Sequence, residues 1–287
     1  MNIGIVINHS SKWFISQAEK LSTEIGAAGH TAVIGTNVRF LSEKNYPFER
    51  CIFLDKDFVL AQRMELAGVR LFNSAGAIEL CDDKRRTYEM LRNDFPVPET
   101  VSMPLTYFPE EEFFTGFADD LENRFGFPMI AKLASGSQGR QVSLLTNRAG
   151  LDAYIRQNYA VPHLYQKFIA SSRGKDLRVY VVGNEVTGAM IRENRSDFRS
   201  NIAMGGNGRK FVPSPEICEE CVAVTEFLGL DFAGIDLLFD ENGEMLICEV
   251  NSNALFGTLD IACGTNTAEK IAKHVLSARN FSENLFL

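Results

Sequence analysis

The chain of 287 residues carries 29 Lys and Arg against 37 Asp and Glu, which gives a net charge of -8 at neutral pH. That balance excludes the broadly basic surface with which nucleic-acid-binding proteins contact phosphates. No apolar run approaches the roughly 20 residues that a membrane-spanning helix needs, so we expect neither a nucleic acid nor a membrane as a partner. The six cysteines are scattered through a chain of this size, which favours a reducing compartment, and we expect the cytoplasm.

The N-terminal part of the chain alternates short apolar runs with helical stretches, a pattern that predicts a parallel α/β sheet. Residues 2–8 lack the basic start and the cleavage site of a signal peptide, so they are predicted as a first strand. Further strands are predicted at 31–35, 51–55 and 69–73, and helices at 11–28, 57–67 and from the N-cap Ser74 to about Asn93. Prolines at 96 and 98 then end the helical pattern, which predicts an α/β domain of residues 1–93 and a second domain of residues 94–287.

The second part of the chain contains more hairpins and fewer crossovers, which is typical of an α+β architecture. Strands are predicted at 127–133, 141–145, 164–169, 176–182, 185–191, 232–239 and 244–250, and helices at 214–228 and 267–278. A loop of small residues, 134–140, joins the first two of these strands.

One predicted hairpin brings acidic residues together. An Asn242-Gly243 step lies between two apolar strands, and Asn-Gly is the strongest short signal for a two-residue type I′ loop. With these two residues as the loop, counting along both strands places Asp236 opposite Glu249. Asn251 then lies two residues further along the same face of the sheet, because side chains alternate between faces.

This hairpin is a candidate metal site. Opposed residues have Cβ atoms roughly 5 Å apart, and two carboxylates that close in a poorly hydrated place do not both ionise without a cation between them. Asp236, Glu249 and Asn251 offer only oxygen atoms, a set that favours magnesium over zinc. The alternative is that Arg or Lys side chains neutralise the acids in a purely structural arrangement.

Basic and glycine-rich segments supply candidates for phosphate binding. Lys132 ends an otherwise apolar strand, where a lysine needs an anionic partner or a path to solvent. The following loop contains Gly136 and Ser137, and its backbone N–H groups could close onto phosphate oxygens. The loop is not a Walker P-loop, because the GxxxxGK[ST] pattern is missing, and a purely structural hairpin loop is the alternative. Lys84, early in a predicted helix, fits equally well on a charged helix face.

A cluster of arginines follows later in the chain. Arg192, Arg195 and Arg199 are predicted to lie in one polar loop together with Asp197 and Asn201. Guanidinium groups suit bidentate binding of phosphate or carboxylate, whereas the alternative is a solvated loop without a ligand.

In their order along the chain, eight stretches resemble the ATP-grasp superfamily and, within it, the RimK-like branch. That branch includes enzymes that add glutamate to the tail of a ribosomal protein and relatives that ligate amino acids to carrier proteins or cofactors. The stretches are 83–87, 128–132, 135–139, 166–169, 176–179, 197–201, 234–237 and 249–251.

The resemblance implies an ATP-grasp fold of two α+β subdomains that clasp ATP, with a lid of about 96–168, a core of about 169–287 and residues 1–93 as a preceding α/β domain. It also implies a role for each candidate residue. Lys84 and Lys132 would hold phosphates beneath the loop with Gly136 and Ser137, and Arg199 and Asn201 would reach the same phosphates. The hinge at adenine would be formed by Gln166, Lys167, Phe168 and Ile169, and Asp176 would lie near the ribose. Arg192 would steady an acyl phosphate, and magnesium would be held by Asp236, Glu249 and Asn251.

The implied activity is that of a carboxylate–amine ligase. A carboxylate attacks the γ-phosphate of ATP, and an amine then displaces phosphate from the acyl phosphate to form an amide. The expected cofactors are ATP and Mg²⁺, with Mn²⁺ as a substitute for the metal. The expected substrates are a carboxylate and an amine, one of which is an amino acid. The acceptor could be a small molecule, a peptide or a protein tail. A homo-oligomer is expected from the family. The alternatives are an inactive ATP-grasp protein that binds nucleotide in a regulatory role and an NAD-dependent enzyme, which the missing G-x-G-x-x-G after the first strand disfavours.

Two departures from the family pattern concern the substrates rather than the fold. Lys167 stands in the hinge where the family usually has an acidic residue. After Asn251 the chain continues with Ser-Asn-Ala-Leu-Phe-Gly257 instead of the Ala-Ser-Pro-Gly of the glutamate-adding enzymes. Because this segment borders the acceptor site in the family, the acceptor stays undefined.

Overall fold

The computed structural model describes residues 1–9 and 12–278. The first residue of the helix predicted at 11–28 and the end of the second predicted domain, after residue 278, lie outside the described residues. No helix within the described ranges has both the length and the apolar character required to cross a membrane.

The first sheet is parallel and has the strand order β2-β1-β3-β4. Its strands are β1 (Asn2–Ile7), β2 (Thr31–Thr36), β3 (Arg50–Leu54) and β4 (Arg70–Phe72), and the helices between them are α1 (Lys12–Ala27), α2 (Asn37–Phe40) and α3 (Phe58–Leu66). Strands β1 and β3 lie in the middle and are almost wholly buried, which explains their continuous apolar runs. The α/β prediction for this region is confirmed.

The helix predicted from Ser74 to about Asn93 is in fact two helices, α4 (Ala75–Asp82) and α5 (Lys84–Leu91). Ser74 caps the first one as predicted, since its hydroxyl accepts a hydrogen bond from the Ala77 N–H. Asp83 interrupts the helix because its backbone is extended and its carboxylate accepts from the N–H groups of the next turn.

The second sheet is antiparallel and has the order β5-β8-β6-β7. Its strands are β5 (Thr100–Ser102), β6 (Met129–Leu133), β7 (Val142–Leu145) and β8 (His163–Lys167). Helices α6 (Glu111–Phe125) and α7 (Arg148–Asn158) pack on one face around buried residues such as Leu121 and Tyr165. The sequence analysis did not predict β5, α6 or α7.

The third sheet is also antiparallel and has the order β11-β10-β9-β12-β13. Its strands are β9 (Lys175–Val182), β10 (Glu185–Glu193), β11 (Asn207–Phe211), β12 (Phe232–Phe239) and β13 (Met245–Asn251). Helix α8 (Pro215–Phe227) covers one face, and α9 (Gly257–Cys263) and α10 (Thr267–Ser277) cover the other. The prediction of Arg192 in a polar loop is wrong, because it lies within β10 and is buried.

The first and third sheets share a hydrophobic core, in which Ile5 and Leu21 lie in one cluster with Tyr180, Phe256 and Ile271. The mixed α/β fold class is therefore confirmed, with one parallel and two antiparallel sheets. The domain limits 1–93 and 94–287 stay a prediction.

Asn73, which follows β4, joins the first sheet to the third. Its fully buried side-chain amide donates to the carbonyl oxygens of Phe232 (2.9 Å) and Ser252 (2.7 Å). Its Oδ1 accepts from the N–H groups of Asp231 (2.6 Å) and Phe232 (3.1 Å). One side chain thus satisfies backbone groups at the start of β12 and just after β13.

Candidate active site

The β12–β13 hairpin pairs Asp236 with Glu249 and Gly234 with Asn251, so the predicted pairing at the candidate metal site is confirmed. The predicted two-residue turn is wrong. The Asp240 N–H donates to the Glu244 carbonyl at 2.8 Å, which leaves a three-residue loop that ends in Gly243 at φ +84°.

A β-bulge at Cys248 restores the predicted register at the acids. Between the turn and the bulge the partners are shifted by one residue, so that Leu237 pairs with Ile247. Beyond the bulge Asp236 pairs with Glu249 again. The extra loop residue and the extra strand residue therefore cancel, and the two acids face one another.

Asp236 belongs to a buried cluster of four charges. Arg178 holds it with two hydrogen bonds, one of them from Nη2 at 2.8 Å, and the guanidinium of Arg192 lies 2.9 Å from its Oδ2. Arg192 also binds Asp176, with Nε at 2.7 Å from Oδ1. Two acids and two guanidinium groups thus neutralise one another, which was the structural alternative for Asp236.

The pKa values of this cluster follow from burial and pairing. Burial alone would raise the pKa of Asp236, but Arg178 and Arg192 outweigh it and hold that pKa below its usual value. Burial and the nearby Asp236 charge raise the pKa of Asp176, although Arg192 favours its charged form. Of the two acids, Asp236 is therefore the one whose charged form is favoured.

Sequence reasoning missed Arg178 as a site residue. It lies in the stretch 176–179 that carried part of the family resemblance, and it pairs with Asp236 across the β9–β12 ladder. Since Asp176 and Arg178 share a face of β9, the alternation of charged and apolar residues along this strand was the available signal.

The hairpin oxygens fit magnesium better than other metals. The described residues contain no cluster of three or more His, Cys, Asp or Glu side chains arranged for a metal. Magnesium, however, needs only one or two carboxylates, with water and phosphates supplying the remaining ligands. The oxygen donors on this face are the half-buried Glu249, the Asn251 amide and Asp236, although both oxygens of Asp236 are engaged by Arg178 and Arg192. Their role as ligands stays a prediction.

Lys84 reaches the hairpin because of the helix break before it. Its backbone N–H donates to the Ala134 carbonyl at 3.0 Å, and its ammonium lies 3.6 Å from Glu249 and 3.2 Å from the Gly136 carbonyl. Lys56, which was not predicted as a site residue, approaches the same Gly136 carbonyl at 3.4 Å. Two ammonium groups thus converge on the glycine-rich loop.

The other end of that loop is held by Arg199. Its guanidinium donates to the Gly139 carbonyl at 2.9 Å and forms two hydrogen bonds with Asp197, which lower the pKa of Asp197 to about 2. Asn201 abuts the loop closely enough that a side chain at Gly139, which has φ +73°, would collide with its amide. Ser137 is exposed, and its N–H donates to Gln141 at 3.3 Å.

Lys132 is buried with 7% of its surface exposed, yet the described residues offer it no acid. Its ammonium donates to Gln166 Oε1 at 2.7 Å and lies 3.4 Å from Cys248 Sγ. Gln166 Nε2 in turn donates to the hydroxyl of Thr100 at 2.9 Å. Burial raises the pKa of the Cys248 thiol. No carboxylate in the described part of the chain forms an ion pair with the Lys132 ammonium, which is held by the Gln166 amide and this thiol.

The predicted hinge follows at the end of β8. Lys167 is exposed, and its N–H donates to the Glu99 carbonyl at 2.9 Å, which connects it to the residue directly before β5. The side chain of Gln166 is turned toward Lys132, whereas Phe168 and Ile169 continue beyond the strand. Their contacts with a nucleotide stay a prediction.

An open pocket lies between the second and third sheets. Its polar lining includes four predicted site residues: Lys84, Lys132, Gln166 and Glu249. Its apolar lining comes from both sheets and from α4 and α5, and it includes Leu91, Val97, Leu164, Ile247 and Val250. Apolar walls with cations at one end suit a planar base that carries anionic phosphates.

Comparison with known proteins agrees with this geometry. The structure matches the crystal structure of a RimK-domain ATP-grasp protein from Sphaerobacter thermophilus with a TM-score of 0.73 and 20% identity, over 96% of this chain and 100% of that one. The fold is therefore that of an ATP-grasp protein. Residues 81–275 match the family of RimK-like ATP-grasp domains, and the chain belongs to this family.

Two human relatives are similar in sequence. The chain is 33% identical to N-acetylaspartylglutamate synthase A over 226 residues, which are 78% of this chain and 56% of the relative. It is 34% identical to β-citrylglutamate synthase B over 228 residues, which are 78% of this chain and 57% of that relative. The chain thus spans a little over half the length of these relatives.

Proposed function

We propose that the protein is a magnesium- and ATP-dependent carboxylate–amine ligase that joins glutamate, as the amine, to a carboxylate through an acyl phosphate. The observation that carries this proposal is buried Lys132, which forms no ion pair with any described residue, in a cavity that is also lined by Lys84 and Glu249. A buried charge without a partner is costly, so a ligand of opposite charge is expected there. The names of both human relatives include glutamate, which supports this choice of amine.

The residues of the site divide the chemistry between them. Lys132 and Lys84 hold the phosphates, and the loop with Gly136 and Ser137 covers them while Arg199 and Asn201 fix its far end. Gln166, Lys167, Phe168 and Ile169 border the base. Bound magnesium would be held by Asp236, Glu249 and Asn251, and it would neutralise charge on the transferred phosphoryl group.

Asp176 and Arg192 take different parts from those that the family resemblance implied. Both are buried, and each is bound to the other, which supports a positioning role for this pair. We propose that this pair, with Arg178, sets the orientation of Asp236. Catalysis then rests on positioning and on neutralisation of charge, without a protein nucleophile.

The test is to incubate the protein with ATP, Mg²⁺, L-glutamate and a panel of carboxylates, and to follow ADP release and new amides by mass spectrometry. Amide formation should require magnesium, glutamate and one carboxylate. Asp236→Asn and Glu249→Gln should each lower turnover on the order of a hundredfold, because each removes charge at the metal. Glu241→Gln, in the exposed turn of the same hairpin, is the control and should leave turnover unchanged.

Two results would count against the proposal in different ways. Full turnover in Asp236→Asn would mean that the metal ligands are wrongly assigned. Tight binding of ATP without any amide from any carboxylate would favour the inactive nucleotide-binding protein instead.

A further inference from the structure

The carboxyl ends of β1 and β3 lie at the topological switch point of the first sheet, where the strand order changes direction. From β1 the chain passes outward to β2 on one side and then to β3 and β4 on the other. In open parallel sheets, ligands bind in the crevice outside the strand ends at such a switch point. Asn8 follows β1 at this place, and Asp55 follows β3.

Asp55 has an unmet hydrogen-bonding requirement. It is 4% exposed, and its Oδ1 accepts from the Lys56 N–H at 2.6 Å and from the Asn8 amide at 3.2 Å. Its Oδ2 is buried and finds no hydrogen-bond partner in the described part of the chain. Burial raises the pKa of Asp55, although hydrogen bonds from the Lys56 and Asp57 backbone and from the Asn8 side chain favour its charged form. Buried polar atoms without partners are rare and call for a specific reason.

The residue after Asp55 connects this crevice to the active site. The Lys56 ammonium lies 2.5 Å from Asp82 and 3.4 Å from the Gly136 carbonyl, which Lys84 approaches at 3.2 Å. Asp55 is thus one residue away from a side chain that touches the loop over the phosphates.

The segment that follows the predicted metal ligands also lies against the first sheet. Asn73 binds the Ser252 carbonyl, and the Gln17 side chain of α1 accepts from the Phe256 N–H at 2.6 Å. Tyr180 donates to the Ala254 carbonyl at 3.2 Å. Residues 252–256 therefore form a fixed wall between the hairpin and the ends of the first sheet.

We propose that Asp55 binds the ammonium group of the amino-acid substrate, with its Oδ2 as the acceptor. A carboxylate can only accept hydrogen bonds and attracts cations, so phosphate or carboxylate groups are unsuitable partners for it. This inference rests on the proposed function, and it assigns the amine substrate to the carboxyl ends of β1 and β3.

The experiment compares two ligands that differ by one amino group. L-Glutamate and glutarate are titrated calorimetrically into the full-length protein with Mg·ADP present, and the ratio of their affinities is measured. The wild type should bind glutamate at least tenfold more tightly than glutarate. Asp55→Asn should bring this ratio close to one, because the amide replaces the accepting oxygen by a donor.

Asp57→Asn is the matched control, since it removes the same charge two residues away. Asp57 caps α3 by accepting from the Leu60 N–H, and asparagine caps a helix equally well. The control should keep the wild-type ratio. An unchanged ratio in Asp55→Asn would overturn the inference, as would a wild type that binds both ligands equally.

Folding is checked by thermal melting of the same variants. Asp55→Asn should melt at or above the wild-type temperature, because it neutralises a buried acid whose Oδ2 lacks a hydrogen-bond partner among the described residues. If it melts lower, Asp55→Ala is measured as a second variant, and the ratio must again fall for the inference to stand. The affinity ratio does not depend on turnover, so a protein that discriminates between the ligands but forms no amide would refute the ligase proposal alone.

Discussion

The two sides of the candidate site differ in whether their buried charges have ion-pair partners. On the hairpin side, Asp236 and Asp176 are matched by Arg178 and Arg192 within one cluster. On the side of the second sheet, Lys132 is equally buried but is held by an amide and a thiol that carry no charge. The first arrangement fixes a carboxylate in place, whereas the second leaves a positive charge available.

This difference indicates which part of the site is complete before a ligand arrives. A matched cluster keeps its geometry without help, and losing one member leaves the others as uncompensated buried charges. An unmatched lysine is oriented by hydrogen bonds but keeps its full attraction for an anion. We therefore expect substitutions on the hairpin side to affect stability first, and substitutions at Lys132 to affect binding and turnover first.

The largest effect is expected for Asp236→Leu, which should lower the free energy of unfolding by about 3–5 kcal/mol. The reason is that Arg178 and Arg192 would both lose their shared anion. Denaturant unfolding measures this loss, and Glu241→Ala in the exposed turn should change it by less than about 0.5 kcal/mol. A loss below about 1 kcal/mol would show that the cluster is not a structural unit.

Lys132→Met should affect turnover rather than stability, which is the reverse of the effect expected for Asp236→Leu. Turnover should fall about a hundredfold, or roughly 3 kcal/mol, because a charge at the phosphates is removed. The free energy of unfolding should stay equal or rise, since the lost charge had no acid among the described residues. Kinetics and denaturant unfolding are measured on the same preparation, with exposed Lys44→Met as the control. A strongly destabilised variant would contradict the contrast between the two sides.

The smallest effect is expected for Gln166→Glu. This substitution would give Lys132 an ion-pair partner, so that its charge would be matched like the charges of the cluster on the hairpin. Affinity for Mg·ADP should fall about tenfold, or 1.4 kcal/mol, because the neutralised lysine attracts phosphate less. Calorimetric titration measures the change. The control is Gln157→Glu, which introduces the same charge at an exposed position of α7 and should leave the affinity for Mg·ADP unchanged. If the affinity is unaltered in both variants, Lys132 does not contact phosphate.

The sequence predicted those parts of the site that depend on local patterns. Alternating apolar runs indicated most of the strands, and the pairing of Asp236 with Glu249 followed from counting along two strands. That count reached the correct pair although the turn was wrong, because the bulge at Cys248 compensated for the extra loop residue. A bulge leaves little local trace in a sequence, so neither deviation was predictable.

Other parts of the site depend on contacts between distant segments. Asp83 ends a helix that propensity alone would continue, and this break is what turns Lys84 toward Ala134. The use of Gln166 to hold Lys132 requires the diagonal position of the two residues across β6 and β8, which no local pattern encodes. The buried pair of Arg192 with Asp176 was missed for another reason: a bulge between Val186 and Gly188 shifts the β9–β10 register and places the two residues opposite one another.

Asn73 limits which segments can be exchanged between family members in chimaeric proteins. Its single amide meets two carbonyl groups and two N–H groups that belong to the third sheet. A chimaera that takes its first sheet from another family member needs a side chain there that both donates and accepts, or four backbone groups lose their partners. New substrate preferences are therefore easier to introduce by changing the crevice residues around Asp55 than by transplanting the entire N-terminal segment.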